Sequence, residues 1–447
     1  MSAEKQYIEL YAQFEDVIRH HAPEGMNVLR AGAYDDFKRN GFPTLKAENY
    51  RYTDVSKIFT PDYGLNLNRF KTRIDPAEVF RCDVPNMSTQ LYFVVNDSFY
   101  EEVQPVPLLP EGVYAGGMKT FADRYPDIFS AYYGQIAQTS NDTVAMLNTM
   151  LVQDGFVLYV PIDVKIDKAI QLVNVVRSHI NIMVNRRILV IMEPRSEARL
   201  LVCDHSMDRI SSLTTQVVEV FAGEGAYFDY YDLEESTQQT KRFSSLFVEQ
   251  AASSNVLVDG VTLNNGLTRN NYHFMLKGEG ASTTLCGMAI QDNSQQVDTY
   301  THITHDAPRC KSTQLFKNVL DDRSVGIFSG RIQVKQDAQK TEALQTNRNL
   351  CKTTEARMYS KPQLEIYADD VKCSHGMTTG QLDEQAMFYM QTRGIPYEEA
   401  RTMLSVAFLS EVIANVRLSP LKDRLQYLVE KRFRGELAQC AGCSICK

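Results

Sequence analysis

The spacing of apolar residues predicts a helical segment at the start of the chain. An apolar residue recurs there every three or four positions, which places one stripe on a helix face. The stripe consists of Tyr7, Leu10, Tyr11, Phe14, Val17 and Ile18. The pattern stops at Phe42-Pro43-Thr44 and is helical again between about 117 and 151, with Asn141 or Asp142 as the predicted N-cap. We therefore expect an N-terminal helical domain and linker over residues 1–150.

The middle of the chain has the pattern of β-structure. Short runs rich in β-branched and aromatic residues follow one another closely, separated by polar residues, glycine or proline. They begin at Phe156–Val160 and continue to Leu364–Tyr367. Residues 151–380 are therefore predicted to form a β core domain.

An internal repeat favours a solenoid within this domain. Ser196-Glu-Ala198, Gly223-Glu-Gly-Ala226 and Gly278-Glu-Gly-Ala281 each precede a strand-like run, and their alanines lie 28 and then 55 residues apart. Ser253-Ser-Asn255 stands at the intermediate position. A fixed period in this range is typical of coils that stack around a continuous core. A sandwich is the alternative, since short strands at this spacing also suit it. A single Asn-Gly pair, Asn265-Gly266, is placed for a tight hairpin, which favours the solenoid.

After Gly380 the pattern becomes helical once more. A first helix, Asp383–Thr392, ends before Gly394, and Pro396 opens a second. Ser419-Pro420 is predicted to cap a third helix that runs to about Arg434. We expect a C-terminal helical domain, residues 381–447, that ends in a cysteine-rich tail.

Composition narrows the class of protein. The chain has 447 residues, 44% of them apolar and 23% charged, as in soluble globular proteins. Its net charge of −8 argues against nucleic-acid binding. We also expect no membrane span, because no run of about 18 apolar residues occurs, and no secretory signal. Nine cysteines, six of them scattered singly, predict a reducing cytoplasm.

Signatures of common enzymes are missing from the sequence. It has no Walker phosphate loop, no Gly-x-Ser-x-Gly and no His-Glu-x-x-His. The carboxylate pairs Asp321-Asp322 and Asp369-Asp370 would suit sugar chemistry, but neighbours on a strand point to opposite faces, so solvated turns are favoured. By the same argument the odd spacing of His302 and His305 disfavours a joint ligand role.

Cys373-Ser374-His375 is the most informative local motif. In an extended chain its thiol and imidazole share one face about 7 Å apart. Both are donors suited to iron or zinc. A thiol hydrolase would also use a cysteine and a histidine, but it needs them at hydrogen-bond distance with a third orienting group. The plainest alternative is a buried cysteine beside a satisfied histidine.

The tail carries a second cysteine motif. Cys440, Cys443 and Cys446 form a Cys-x2-Cys-x2-Cys run that ends at Lys447. This spacing resembles most of an iron–sulfur or zinc ligand set, but no nearby fourth cysteine completes it. A terminal segment is equally compatible with a mobile, unliganded end.

Several ordered stretches resemble the SufB/SufD family of iron–sulfur cluster assembly proteins. They include Glu48–Asp54, Asp154–Pro161, Ser324–Gly330, Ala368–Gly376 and Leu382–Gln385. The run Val-Lys-Cys-Ser-His-Gly at 371–376 is most like the SufD side of the family, where SufB typically has a His-Glu pair. The cysteine tail departs from the common family pattern.

The resemblance implies a right-handed parallel β-helix flanked by helical domains, in agreement with the repeat. It implies a non-catalytic scaffold subunit of the SUF (SufBCD) complex, which pairs with a SufB homologue, or with itself, through the β-helix edge. It further implies that the C-terminal helices bind the ABC-type ATPase SufC. No stably bound cofactor is expected in the isolated subunit. A β-helix polysaccharide lyase or hydrolase is the alternative.

The resemblance also assigns a candidate site. His375 would be a ligand to iron or a transient cluster at the partner interface, and Cys373 would be a secondary candidate. The tail cysteines receive no role from the family.

Overall fold

The computed structural model describes residues 2–74, 89–101, 109–138, 140–206, 208 and 210–436. Cys440, Cys443 and Cys446 lie outside the described residues, so the predictions for the tail stay predictions. Helices flank a large β domain on both sides in sequence. They are α1 Ala3–His21, α2 Glu24–Asn40, α3 Val55–Phe59, α4 Met118–Arg124, α5 Pro126–Tyr132, α6 Thr143–Leu151, α7 Glu384–Thr392, α8 Tyr397–Ala414 and α9 Ser419–Phe433.

The strands alternate between two sheets. In chain order they are β1 Gln90–Val95, β2 Ser98–Phe99, β3 Tyr114–Gly117, β4 Phe156–Val160, β5 Ile170–Val176, β6 Ile182–Met192, β7 Glu197–Ser206, β8 Ser212–Ala222, β9 Tyr227–Glu235, β10 Thr240–Gln250, β11 Asn255–Asn264, β12 Leu267–Leu276, β13 Ser282–Gln291, β14 Gln296–His305, β15 Lys311–Leu320, β16 Val325–Val334, β17 Glu342–Cys351, β18 Arg357–Ile366 and β19 Lys372–Gly380. Sheet A has the order β18-β16-β14-β12-β10-β8-β6-β4-β3, and sheet B the order β19-β17-β15-β13-β11-β9-β7-β5-β1-β2.

Each coil of the chain therefore gives one strand to each sheet. From β5 to β17 every strand pairs in parallel with the strand one coil earlier and one coil later, and β18 and β19 pair in parallel with β16 and β17. The mainly β fold with a parallel β-helix core and helices on either side is confirmed, and the sandwich alternative is wrong. Alternate side chains point into a central space, the lumen, where those of the two sheets pack together.

The predicted repeat corresponds to one corner of the solenoid. Six corner residues have positive φ, between 55° and 71°, and each donates its backbone N–H to a carbonyl of the next coil over 2.6–3.1 Å. They are Arg195, Gly225, Ser253, Gly280, Arg309 and Lys340. The left-handed conformation suits glycine at two of these positions, which explains the Gly-Glu-Gly-Ala motifs.

The phase of the first repeat unit differs from the prediction. The register places Glu197 opposite Tyr227, so Ser196, not Ala198, is the counterpart of Ala226. Ala198 already lies inside β7 and faces the lumen core. The period is correct, and the first motif is displaced by two residues because its strand begins earlier than the apolar run suggests.

The first 150 residues contribute strands as well as helices. β1 extends sheet B in parallel with β5, and β2 turns back on β1 in the antiparallel sense. β3 pairs antiparallel with β4 at the end of sheet A. These short strands close the N-terminal end of the lumen, together with the packed rings of Tyr92, Phe99 and Phe156. The predicted domain of helices and linker therefore also supplies the closed end of the solenoid.

The helices cover the outer faces of the two sheets. Tyr7, Tyr11 and Phe59 pack against sheet A through Leu213 and Phe243. The second helix, α2, was not predicted as a separate element. Its buried Arg30 donates hydrogen bonds to the carbonyls of Thr149 and Met150 in α6 and of Val152 directly after it. Asp142 is the N-cap of α6, as predicted.

The C-terminal helices pack on sheet B. Leu409, Val412, Leu425 and Val429 bury apolar side chains of sheet B, among them Leu257. The three predicted helices are present, but the N-cap of α9 is Leu418 and no side chain caps it. Ser419 is the first helical residue because Pro420, which lacks an N–H, occupies the first turn. Among the described residues, no helix is both long and apolar enough to cross a membrane.

Candidate functional site

The two ends of the solenoid differ. At the N-terminal end antiparallel strands and aromatic side chains close the lumen, whereas at the other end β18 and β19 are the last strands of their sheets. Eight of the nine residues of β19 are exposed, and Cys373 alone in that strand is half-buried. A terminal strand presents unpaired backbone N–H and C=O groups, so this edge is a template for another strand.

The candidate residues lie on this last strand. Cys373 and His375 are alternate residues of β19, in register with Ala343 and Gln345 of β17. They therefore share the lumen-facing side of the strand, as predicted from the spacing. His375 is exposed because no further coil covers it.

Cys373 has a different environment from His375. It packs against an apolar cluster that includes Ile332, Val334 and Ala343. Partial burial raises the pKa of the Cys373 thiol, while a hydrogen bond from the Ala343 backbone opposes that rise. A thiol is a weaker metal ligand than a thiolate, so His375 is the better placed donor of the two.

The donor set at this edge is small. Within the described ranges, no group of three or more His, Cys, Asp or Glu side chains is placed to hold a metal ion. An iron ion takes more ligands than one imidazole and one thiol provide. Iron held at this edge would therefore need ligands beyond those of the described residues, and an exposed strand edge is where another molecule can pair.

A segment of the N-terminal domain borders the open end. Tyr52 stacks on Tyr359 of β18, and Glu48 forms an ion pair with Lys361 of the same strand. Thr53 donates a 2.5 Å hydrogen bond to the buried carboxylate of Asp298. This segment and the last coils surround a cavity of about 800 Å³, whose lining includes Phe328, Met358 and Met377. The motif at 48–54 thus lies beside the exposed edge.

The carboxylate pairs lie in turns. Asp321 forms ion pairs with Lys352 and Arg401, and Asp322 has a φ of 50° at a corner of the solenoid. Asp369 and Asp370 are exposed in the turn before β19. Neither pair converges on a common site, in agreement with the interpretation as solvated turns.

The two histidines of β14 face opposite ways. His305 points into the lumen, where its Nε2 lies 2.9 Å from Ser312 Oγ and burial lowers its pKa to about 4. His302 points outward, and its in-register neighbour is His273 of β12, with ring centroids 6.2 Å apart. Both rings line a cavity of about 370 Å³ on the outer face of sheet A. The pairing with His273 has no signal in the sequence, because it depends on the strand register.

The C-terminal helices leave an aromatic surface exposed. Phe388 and Tyr389 of α7 are 69% and 59% exposed, and Tyr397 at the start of α8 is 54% exposed. We call these three residues the aromatic surface. They point away from sheet B, while other side chains of α8 and α9 pack onto it.

Comparison with known proteins assigns the chain to a family. Residues 175–408 match the model of the SUF system FeS cluster assembly SufBD core domain, and residues 1–172 match that of the SufBD protein N-terminal region. The chain is 28% identical to an iron–sulfur cluster assembly SufBD family protein of Synechocystis, over 90% of each chain. It is 30% identical to the chloroplastic protein ABCI7 of Arabidopsis thaliana, over 89% of this chain and 84% of that protein.

A third relative is the iron–sulfur cluster assembly protein SufD of Escherichia coli, 37% identical over 41% of this chain and 43% of SufD. The resemblance noted in the sequence, including its SufD character, is confirmed. The two matching family models together span most of the solenoid and the N-terminal helices. The chain therefore belongs to the SufBD family of iron–sulfur cluster assembly proteins.

Proposed function

We propose that this chain is a non-catalytic scaffold subunit of the SUF cluster assembly complex. In this role it pairs with a SufB homologue through the open edge at β18 and β19, and with a second copy of itself when alone. The observation that carries the proposal is His375 on an exposed terminal strand, with too few donors among the described residues to hold iron there.

In this proposal, iron or a growing cluster is cargo rather than a resident cofactor. The His375 imidazole binds iron from this side, and the partner supplies the remaining ligands. Cys373 is the secondary donor, limited by the burial that raises the pKa of its thiol. The complex is expected in the cytoplasm, as the cysteine usage suggests.

Two further features support the scaffold role. The aromatic surface of α7 and α8 is proposed as the docking site of the SufC ATPase, because exposed aromatic side chains favour partner binding. The carboxylate pairs that a β-helix lyase or hydrolase would need lie in turns and in ion pairs. The carbohydrate enzyme is therefore the weaker candidate.

The test is His375→Ala in the full chain, co-expressed with the SufB and SufC homologues. Because His375 is exposed, the free energy of unfolding should change by no more than about 0.5 kcal/mol. The expected result is an intact complex with no visible cluster absorbance and inactive recipient enzymes. His375→Cys should retain partial function, since a thiolate binds iron, and His375→Gln should not.

His179→Ala is the matched control, because His179 is also exposed but lies far along the chain from β19. It should assemble clusters like the unmodified complex. Full activity of His375→Ala, or its failure to fold, would show that His375 is not the ligand.

A further inference from the structure

Gln314, Gln345 and His375 form one row along the lumen of the last coils. Gln314 is the in-register partner of Gln345, and Gln345 is the in-register partner of His375. In-register residues of parallel strands point the same way, and neighbouring strands lie about 4.8 Å apart. The side chain directly behind His375 is therefore that of Gln345.

The opposite wall of the lumen carries a matching row on sheet A. There Thr301 is in register with Gly330, and Gly330 with Pro362. Thr301 faces Gln314 across the lumen and donates a hydrogen bond of 2.8 Å from its Oγ1 to Gln314 Oε1. The amide oxygen of Gln314 is thus held within its own coil, while its Nε2 has no hydrogen-bond partner among the described residues.

Gln345 has no such partner across the lumen. The residue opposite it is Gly330, and a Cβ at that position would lie 2.7 Å from Gln345 Cδ and 2.9 Å from its Oε1. Glycine is therefore what makes room for the amide. Any side chain at Gly330 would displace it.

The amide of Gln345 is fully enclosed yet unsatisfied. Gln345 is 0% exposed, and neither its Nε2 nor its Oε1 has a hydrogen-bond partner among the described residues. Buried polar groups without partners are destabilising and uncommon, so such a group needs an explanation. The next polar side chain in its row is the imidazole of His375.

We propose that Gln345 is a positioning residue for His375. Its side-chain carbonyl accepts a hydrogen bond from the imidazole nitrogen that faces the lumen. The other ring nitrogen then carries the lone pair and faces the open end, ready to bind iron. A second group of this kind fixes both the tautomer and the orientation of a ligating imidazole. The iron-binding part of this inference rests on the proposed function, whereas the contact does not.

The contact is tested without metal. The full chain is labelled with ¹⁵N-histidine, its ring nitrogens are observed by NMR, and His375 is assigned by loss of its signals in His375→Gln. The unmodified protein should show one dominant tautomer of His375. Gln345→Leu, which removes the acceptor, should give a mixture, and Gln345→Glu, which keeps one, should restore the single tautomer.

Gln314→Leu is the matched control. It makes the same change in the same row, one coil further from His375, and should leave the His375 signals unchanged. Gly330→Ala pushes the Gln345 amide aside without altering it and should also disturb the tautomer. If Gln345→Leu does not fold, Gly330→Ala decides the question. Unchanged ring signals in the folded variants would refute the contact.

Cluster assembly is measured separately, in the complex with the SufB and SufC homologues. Gln345→Leu should lower assembly about 10-fold, as loss of a supporting partner does at metal sites, and Gln314→Leu should not. If Gln345→Leu alters the tautomer while His375→Ala assembles normally, the contact stands but its role toward iron is refuted, together with the proposed function. If His375→Ala is inactive but Gln345→Leu leaves the His375 tautomer unchanged, only the positioning role is refuted.

Discussion

Tyr52 lies face to face on Tyr359, with ring centroids 4.0 Å apart and ring planes inclined by 13°. The first belongs to the segment between α2 and α3 and the second to the last strand of sheet A. The neighbouring ion pair of Glu48 with Lys361 joins the same two segments. The N-terminal domain thus holds the terminal coil, which otherwise has a neighbouring coil on one side alone.

This relationship predicts that Tyr52→Ala loosens the last coil without unfolding the protein. An aromatic pair contributes about 0.5–1.5 kcal/mol beyond its buried area, so amide exchange in β18 should become faster by up to about 10-fold. Hydrogen–deuterium exchange with mass spectrometry measures it. Phe70→Ala, at a ring that is 75% exposed, is the control and should change nothing in β18. If β18 were equally protected from amide exchange in both variants, Tyr52 would not be holding the last coil.

A second prediction concerns the ion pair beneath the N-terminal domain. Glu219 is 0% exposed, pairs with Arg187 at 2.7 Å and accepts backbone N–H groups from Gly134, Ile136 and Ala137 at 2.9–3.0 Å. Glu219→Ala removes the carboxylate that pairs with the buried Arg187 charge and accepts these backbone N–H groups. We expect a loss of about 3–5 kcal/mol in the free energy of unfolding, measured by urea denaturation.

Glu249→Ala is the comparison for that measurement. Glu249 pairs with Lys277 at the surface, where ion pairs contribute about 0–1 kcal/mol. A similar loss in both variants would mean that burial does not determine the value of the Glu219 pair.

The solenoid could be predicted because the residues at one of its corners repeat in the sequence once per coil. Corner residues with positive φ recur once per coil, and glycine occupies two of them. The phase could not be predicted equally well, since Ala198 and Ala226 look alike in sequence but lie at different points of the coil. Likewise β2 and β3 have two and four residues and carry no repeat, so their antiparallel pairing had no signature.

The spacing of neighbouring residues in the sequence was enough to predict part of the candidate site. A period of two places Cys373 and His375 on one face whichever strand they belong to. Gln345, by contrast, is a single polar residue with no motif. Its position behind His375 follows from the register of β17 with β19, and its unsatisfied amide follows from the glycine opposite. These are long-range relations that one sequence does not contain.

A third prediction concerns pH. Asp259 of β11 is 1% exposed, neither carboxylate oxygen has a partner among the described residues, and burial raises its pKa to about 7. Because the native pKa lies above the unfolded one, the native state keeps its proton longer. The contribution of Asp259 to stability is therefore greatest in acid and falls as pH rises from about 4 to about 7.

Asp259→Asn removes this titration. Relative to the unmodified protein, the variant's free energy of unfolding should rise by roughly 3 kcal/mol between about pH 5 and about pH 8. Urea denaturation at each pH measures it. Asp292→Asn is the opposite case. Burial acts to raise the pKa of the Asp292 carboxyl, but the hydrogen bond and charge of Arg432 help to lower that pKa overall. Parallel pH profiles for the unmodified protein and Asp259→Asn would show that Asp259 is ionised throughout.

The cysteine tail gives a fourth prediction, argued from the sequence. Three thiolates at 440, 443 and 446 lack a nearby fourth ligand, and ordering a chain end costs conformational entropy. Changing all three to Ser should leave cluster assembly in the complex unaltered, measured by visible absorbance. A loss as large as that from deleting the whole subunit would show that the tail takes part.

The last prediction concerns the aromatic surface. Deleting the C-terminal helices is a poor test of ATPase binding, because Leu409, Val412 and Leu425 bury apolar side chains of sheet B that the deletion would expose. Phe388→Asp with Tyr389→Asp changes the exposed ring positions and leaves that packing intact. If the surface docks SufC, two charged side chains in place of aromatic anchors should weaken binding at least about 30-fold. Tyr427→Asp on α9, where the ring is 46% exposed, is the control and should bind normally. Unchanged affinity of the double variant, measured by titration calorimetry on the full chain, would place the ATPase elsewhere.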